Sequence, residues 1–227
     1  MKAAADPERA IGVAGFFKTG PGDYGEGDRF LGIRVPDLRR IVRAHRGLPR
    51  EDVFELLRSA WHEERLVALM LLVDAHERGT PTVRKALHRD YLANTAFVNN
   101  WDLVDTSAPE LVGSHVAEGG TKLIEKLAKS ASLWERRIAI VATLTTIREH
   151  DFAPTLLIAE RLAGDRHDLI HKAVGWMLRE VGKRDLAVLR QYLDTHAATM
   201  PRTSLRYAIE RMDADERREY MAAASRS

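Results

Sequence analysis

Cysteine is absent from the 227 residues. That excludes disulfides, thiolate zinc sites, iron–sulfur clusters and a thiol nucleophile, and it fits a reducing compartment. Long apolar runs are absent as well: none approaches the ~18 residues that span a bilayer. The opening stretch, Met1 to Pro7, lacks the extended apolar segment of a secretory leader. The expectation is a cytoplasmic protein with no membrane partner. Gly (15) and Pro (8) are too few, beside 45% hydrophobic and 30% charged residues, for a collagenous, low-complexity or disordered chain. No segment alternates apolar and polar residues with period two, which argues against a sheet. Net charge is only +2, yet 27 of the 35 basic residues are Arg. The planar guanidinium suits phosphate and stacks on rings. A GC-rich genome produces the same bias, so position matters more than count.

What the chain does carry is helical periodicity. Leu66, Leu69, Met70 and Val73 follow i, i+3, i+4, i+7 within 61–79, and Gly79 with Pro81 ends the run. Similar stretches occupy roughly 4–18, 36–47, 50–59, 82–98, 101–118, 121–130, 133–149, 153–164, 167–183, 186–199 and 203–212. Within them a basic residue followed by small and apolar ones recurs at Arg65, Arg137, Lys172 and Arg206, at separations of 72, 35 and 34. Halving the first separation puts the missing member at Trp101. A period near 35 with helix–turn–helix content predicts an all-α fold, an α-solenoid of stacked helix pairs. Equivalent positions then line one face. Arg65, Trp101, Arg137, Lys172 and Arg206 form either a seat for a polyanion with rings or a set of bridges between repeats.

Several clusters have chemical potential. Trp101 and Asp105, at i and i+4, share a helix face, while Asp102 points about 60° away; Asn99 and Asn100 are candidate caps. The pair is either an aromatic platform beside a carboxylate or a core Trp with a solvated acid. Lys172, Trp176 and Arg179 set an indole between two cations. Arg34, Arg39, Arg40, Arg43, Arg46 and Arg50 face a single acid, Asp37, in the densest basic stretch, with Arg39, Arg43 and Arg46 on one face. His167 and His171 have zinc-compatible spacing but no third ligand, so no metal is expected. Residues 19–28 contain G-x-G-x-x-G at Gly20, Gly22 and Gly25, but a helix precedes it where a strand is needed, and the segment reads as a mobile loop.

Four strings, in order, resemble a known family. They are FLGIRVPDLRR (30–40), WDLVD (101–105), LWERRIAI (133–140) and KAVGWMLRE (172–180). Together they resemble the bacterial DNA alkylation repair enzymes, HEAT-like-repeat alkylpurine DNA glycosylases, from about Phe16 to Met212. The resemblance implies a right-handed, C-shaped solenoid of HEAT-like repeats whose concave face holds duplex DNA. It also implies hydrolysis of the N-glycosidic bond of cationic N3- and N7-alkylated purines without base flipping. In this sequence it implies Asp105 as catalytic carboxylate, Trp101 and Trp176 as aromatics on the sugar and backbone at the lesion, and Arg137 as the cleft arginine. Arg179 would contact phosphate, as would Lys172, Arg65, Arg206, Arg39 and Arg43 from their charge and place. The whole expectation is one monomeric domain over 1–227, with a tail at 213–227, using no cofactor and no metal. The alternative is a noncatalytic HEAT-type scaffold for DNA or protein.

Overall fold

The computed structural model describes residues 1–223; residues 224–227, the end of the expected tail, lie outside the described residues. The chain divides into two compact units, Met1–Leu111 and Val112–Ser227. Their boundary falls within one π turn, Pro109–Gly113. The fold is all-helical. Among the described residues the only β pairing is an isolated bridge between Arg29 and Trp61.

The first unit holds α1 (Pro7–Phe16), α2 (Val35–Ala44), α3 (Arg50–Leu57), α4 (His62–Arg78), α5 (Pro81–Ala93) and α6 (Trp101–Ala108). Helix α4 is its hub, touching α2, α3, α5 and α6. It is apolar around most of its girth, and Leu66, Val67, Leu69, Leu71 and Leu72 are all buried, as a central helix requires. Helix α1 buries no side chain, and Ile11 and Phe16 stand exposed on it. Residues 29–33 link the glycine-rich loop to α2. One buried acid collects the N–H groups of the last three of them: the Glu63 carboxylate accepts from Leu31 (2.8 Å), Gly32 (2.7 Å) and Ile33 (3.2 Å). Gly32 has φ of +75°, and a Cβ there would sit 2.2 Å from the Asp6 carbonyl oxygen. Only glycine lets this segment meet the start of α1.

The second unit holds α7 (Ser114–Ala117), α8 (Thr121–Leu127), α9 (Leu133–Val141), α10 (Leu144–Arg148), α11 (Ala153–Arg161), α12 (Asp168–Gly182), α13 (Leu186–His196), α14 (Arg202–Ala208) and α15 (Ala214–Ala223). Here α12 is the hub, packed on α9, α11, α13 and α14. Its approach to α14 depends on Gly175. A Cβ at that position would lie 2.4 Å from Ser204 O and 2.5 Å from Tyr207 Cβ.

The helices fall on the periodic stretches of the sequence, with three breaks. The stretch 101–118 is interrupted by Pro109, which has no N–H to give. The stretch 133–149 is divided where Thr143 Oγ1 donates back to Ile140 O (2.7 Å) and Thr146 Oγ1 to Thr143 O (3.0 Å). In 82–98, α5 gives way to a 3-10 turn, Thr95–Phe97. The tail differs from expectation, for α15 occupies most of it. That helix has no apolar stripe to announce it and is held by polar contacts, Arg190–Glu216 (2.7 Å) and Tyr220 Oη to Asp194 (2.9 Å).

The Gly175 contact is testable. Gly175→Ala adds a methyl group against helix backbone that cannot retreat far, and overpacking outweighs the better helix propensity of Ala. A net loss of about 2 kcal/mol in urea unfolding is expected with far-UV circular dichroism unchanged. A raised midpoint would show that α12 and α14 have slack.

Candidate active site

Trp101 and Asp105 both lie on α6 and both are half-buried, while Leu103, Val104, Ser107 and Ala108 point into the core. The first turn of α6 is pinned from several sides. Asn100 caps it, its Oδ1 accepting from Trp101 N (2.8 Å) while its amide donates to Asp28 Oδ2 (3.1 Å). Asp102 accepts from its neighbour Leu103 N (2.9 Å). Between Asp28 and Asp102 sits His62, only 2% exposed. Its Nδ1 is 3.0 Å from Asp28 Oδ2 and its Nε2 is 2.8 Å from Asp102 Oδ2. Burial alone would push this imidazole down. The hydrogen bonds and charges of Asp102 and Asp28 outweigh burial and lift its pKa to about 9. Asp28 answers in the opposite sense: burial pushes its carboxyl up, but His62, Arg65 and Asn100 hold it below its usual range.

Rings complete the support. Phe30 stacks on His62 at 4.7 Å, and Phe17 lies 4.8 Å from the same imidazole. Phe17 also stacks on the Trp101 indole at 5.3 Å, with 16° between the planes. Phe16, exposed, meets Trp101 edge-on at 6.0 Å. The sequence reading singled out none of Phe16, Phe17, Asp28 or His62. Asp28 ends the segment 19–28 expected as a mobile loop. The segment makes turns through Asp23 N to Gly20 O (3.0 Å), Gly25 N to Lys18 O (3.1 Å) and Gly22 N to Glu26 Oε2 (2.9 Å), and its last residue, half-buried, reaches His62, Arg65 and Asn100.

Arg65 belongs to the same cluster. It is 4% exposed, with Nη1 donating to Ser59 O (3.0 Å) and Nη2 to Asp28. Its guanidinium is turned to Ser59 and Asp28 rather than outward. The reason is a slip of one residue in the repeat. Ser59 Oγ donates to Glu64 (2.5 Å) and accepts from Trp61 N (3.0 Å). Ser130 Oγ likewise donates to Glu135 (2.5 Å) and accepts from Ser132 N (3.1 Å), and Arg136 Nη1 donates to Ser130 O (3.1 Å). The counterpart of Arg65 is therefore Arg136, which pairs with Asp165 (2.6 Å), and not Arg137. One residue is 100° of helix, so Arg65 and Arg137 do not belong to one row.

In the second unit Arg137 is 5% exposed and its Nη1 donates to Leu169 O (2.6 Å) in the first turn of α12. Lys172 pairs with Asp168 (2.7 Å), and Trp176, half-buried, donates from Nε1 to Glu180 (3.2 Å). Arg179 pairs with Glu210, and Arg206 is exposed. His167 accepts from Leu169 N (3.2 Å) and His171 Nε2 meets Asp165 O (2.6 Å), so both histidines organise the start of α12.

On α2, Asp37 is shared by Arg34 and Arg40, while Arg46 reaches Asp74 (3.0 Å) and Arg50 reaches Asp90 (3.1 Å). Among the described residues Arg39 and Arg43 have no carboxylate partner. Both are exposed and line a groove of about 420 Å³ with Arg46, Met70, Asp74 and Thr106.

Residues 1–212 match the family described as DNA alkylation repair enzyme. The chain belongs to that family. Two solved structures have a similar fold. One is described as a predicted DNA alkylation repair enzyme from Enterococcus faecalis, 18% identical, covering 92% of this chain and 97% of its own, with a TM-score of 0.70. The other is smu.31 from Streptococcus mutans UA159, 16% identical over 78% of this chain and 92% of its own, with a TM-score of 0.57. No curated protein is matched. Among the described residues no helix is long and apolar enough to cross a membrane.

For this member of the DNA alkylation repair enzyme family, the strings that carry the resemblance have structural causes. FLGI supplies the N–H groups that Glu63 collects, WDLVD forms the pinned helix α6, and KAVGW contains the glycine on which α14 rests.

The clasp makes stability depend on pH. His62 has a raised folded pKa, so its contribution is complete below its ordinary value of 6.5 and is lost as pH rises through about 9. The gap in urea stability between the wild type and His62→Gln should be largest near pH 6 and shrink toward pH 10. A gap that stays constant would mean the imidazole is held neutral.

Proposed function

We propose that the protein is a DNA glycosylase that removes cationic N3- and N7-alkylated purines from duplex DNA, with Asp105 as its catalytic carboxylate and without turning the base out of the helix. The observation that carries this reading is α6. In a chain of the DNA alkylation repair enzyme family, one short helix presents an indole and a carboxylate one turn apart, both half-buried and so within reach of a ligand. Enclosure of that kind strengthens electrostatic interaction relative to bulk water.

The chemistry needs little more. An alkylated purine already carries positive charge, which weakens its bond to the sugar. As that bond breaks, the base leaves with the electron pair and charge accumulates on an oxocarbenium-like deoxyribose. A fixed carboxylate at Asp105 stabilises that charge and orients the water that adds to C1′. The Trp101 face adds cation–π stabilisation of ~0.5–2 kcal/mol. The resemblance gives Trp176 the matching task against sugar and backbone. Arg39, Arg43 and Arg206, exposed, suit backbone phosphates. Lys172 and Arg179 join them where phosphate displaces Asp168 and Glu210. Arg137, buried, is assigned to the DNA by resemblance alone.

Asp105→Asn should abolish release of 7-methylguanine from methylated duplex, read as alkali-sensitive strand breaks, while duplex binding persists. Unchanged release removes Asp105 from the mechanism. Binding by the wild type with no strand breaks would instead favour a noncatalytic DNA scaffold. A second measurement concerns Arg137→Ala. Lower duplex affinity and a salt slope reduced by about one are expected if it meets phosphate. An unchanged slope leaves it the structural bond to Leu169.

A further inference from the structure

We propose that His62 is a positioning residue: clasped between Asp28 and Asp102, it fixes the first turn of α6, and with it the Trp101 ring and the Asp105 carboxylate. This rests on the glycosylase reading of Asp105 and extends it to a residue that does not touch substrate.

Helix α6 is eight residues long and ends in a π turn. Two turns of helix have too few internal hydrogen bonds to hold themselves, so the orientation of α6 is set by what grips its ends. At its start the grip is electrostatic. A neutral imidazole has one N–H and one lone pair, yet both ring nitrogens of His62 face carboxylate oxygens, at 3.0 and 2.8 Å. Only the imidazolium donates to both. The groups around it are Asp28 from the glycine-rich loop and Asp102 from α6. Arg65 on α4 reaches it through Asp28, Asn100 through the same carboxylate, and the Phe17 and Phe30 rings cover its faces. Glu63, its neighbour on α4, is turned to the N–H groups of 31–33. The raised pKa agrees with this geometry.

Two routes connect the clasp to the candidate site. Asp102 is the residue after Trp101, so a hydrogen bond to its carboxylate locks the first turn. Phe17 lies against both the imidazole and the indole, so the ring column transmits any shift of His62 to Trp101. The repeat supplies an internal control. In the second copy of the Ser–Glu–Arg cap, Leu133 stands where His62 stands in the first. The charged clasp belongs to the copy whose His62 holds Asp102 of α6.

The test combines side-chain NMR with base release. Both His62 ring N–H groups, assigned by their loss in His62→Gln, should persist to about pH 8 and titrate with a midpoint near 9. Release of 7-methylguanine should fall with the same midpoint. Misplacing a catalytic group by about 1 Å costs on the order of 100-fold, so folded His62→Gln should lose about that much while keeping duplex affinity. Asp102→Asn keeps the size of the side chain and one hydrogen bond; it should lower the His62 midpoint and slow release, and it carries the test if His62→Gln does not fold. A neutral His62 at pH 7, or release at the wild-type rate by either folded variant, overturns the proposal. If the wild type releases no base at any pH, the glycosylase reading fails separately. The clasp is then judged on the Trp101 indole N–H resonance, which should move with the His62 midpoint and in Asp102→Asn; an unmoved resonance overturns it.

Discussion

Two acids and two cations share the space beneath the first turn of α6: Asp28, Asp102, His62 and Arg65. Taking such charges out of water costs several kcal/mol per ion, and their attraction offsets this only with good geometry and every remaining hydrogen bond made. The geometry is good, although Arg65 Nε is buried without a hydrogen-bond partner. Asp28 alone accepts from His62, Arg65 and Asn100, and Asp102 accepts from His62 and Leu103. A cluster of this kind adds little net stability over apolar packing, but it does not tolerate the loss of a member. Its effect is to make one arrangement of loop, α4 and α6 far better than its neighbours, which is what a helix bearing an indole and a carboxylate requires.

The same local design recurs without the charge at its centre. Ser130, Glu135 and Arg136 repeat the cap of Ser59, Glu64 and Arg65, and Arg136 finds its own acid in Asp165. The position of His62 is then a leucine. Next to Asp165, burial pushes the His167 imidazole below its ordinary pKa, with the nearby acids Asp165 and Asp168 opposing it. One cap serves two units, but only the first carries an imidazolium clasped between carboxylates.

The helices were legible because an amphipathic period is written locally, within a dozen residues. The clasp was not, since its members lie 34, 40 and 72 positions apart and no single motif holds them together. The row of cations misled by one residue for a related reason. Arg136 and Arg137 are adjacent and chemically identical, and sequence spacing cannot say which of them a serine cap will claim. The glycine-rich loop hid Asp28 through its composition. Glycine and acid content suggest a solvated acid there, whereas Asp28 has partners on α4 and beside α6. Trp101 with Asp105 was legible because both lie on one turn of one helix, where spacing and geometry are the same statement.

The arginine excess has a partly internal explanation. In the first unit Arg34 and Arg40 share Asp37, Arg46 and Arg78 share Asp74, and Arg50 and Arg89 share Asp90. Exposed pairs of this sort are worth less than about 1 kcal/mol each, so their acids are easily exchanged for phosphate, but each exchange leaves a carboxylate uncompensated near the nucleic acid. Cations without such a partner incur no such penalty. Arg39 and Arg43 on α2 are in that position, and their groove extends to Thr106 on α6, next in sequence to Asp105. Nearly zero net charge therefore does not argue against a polyanion as ligand: what matters is where the uncommitted guanidinium groups stand, and in this unit two of them border the helix that carries the candidate carboxylate.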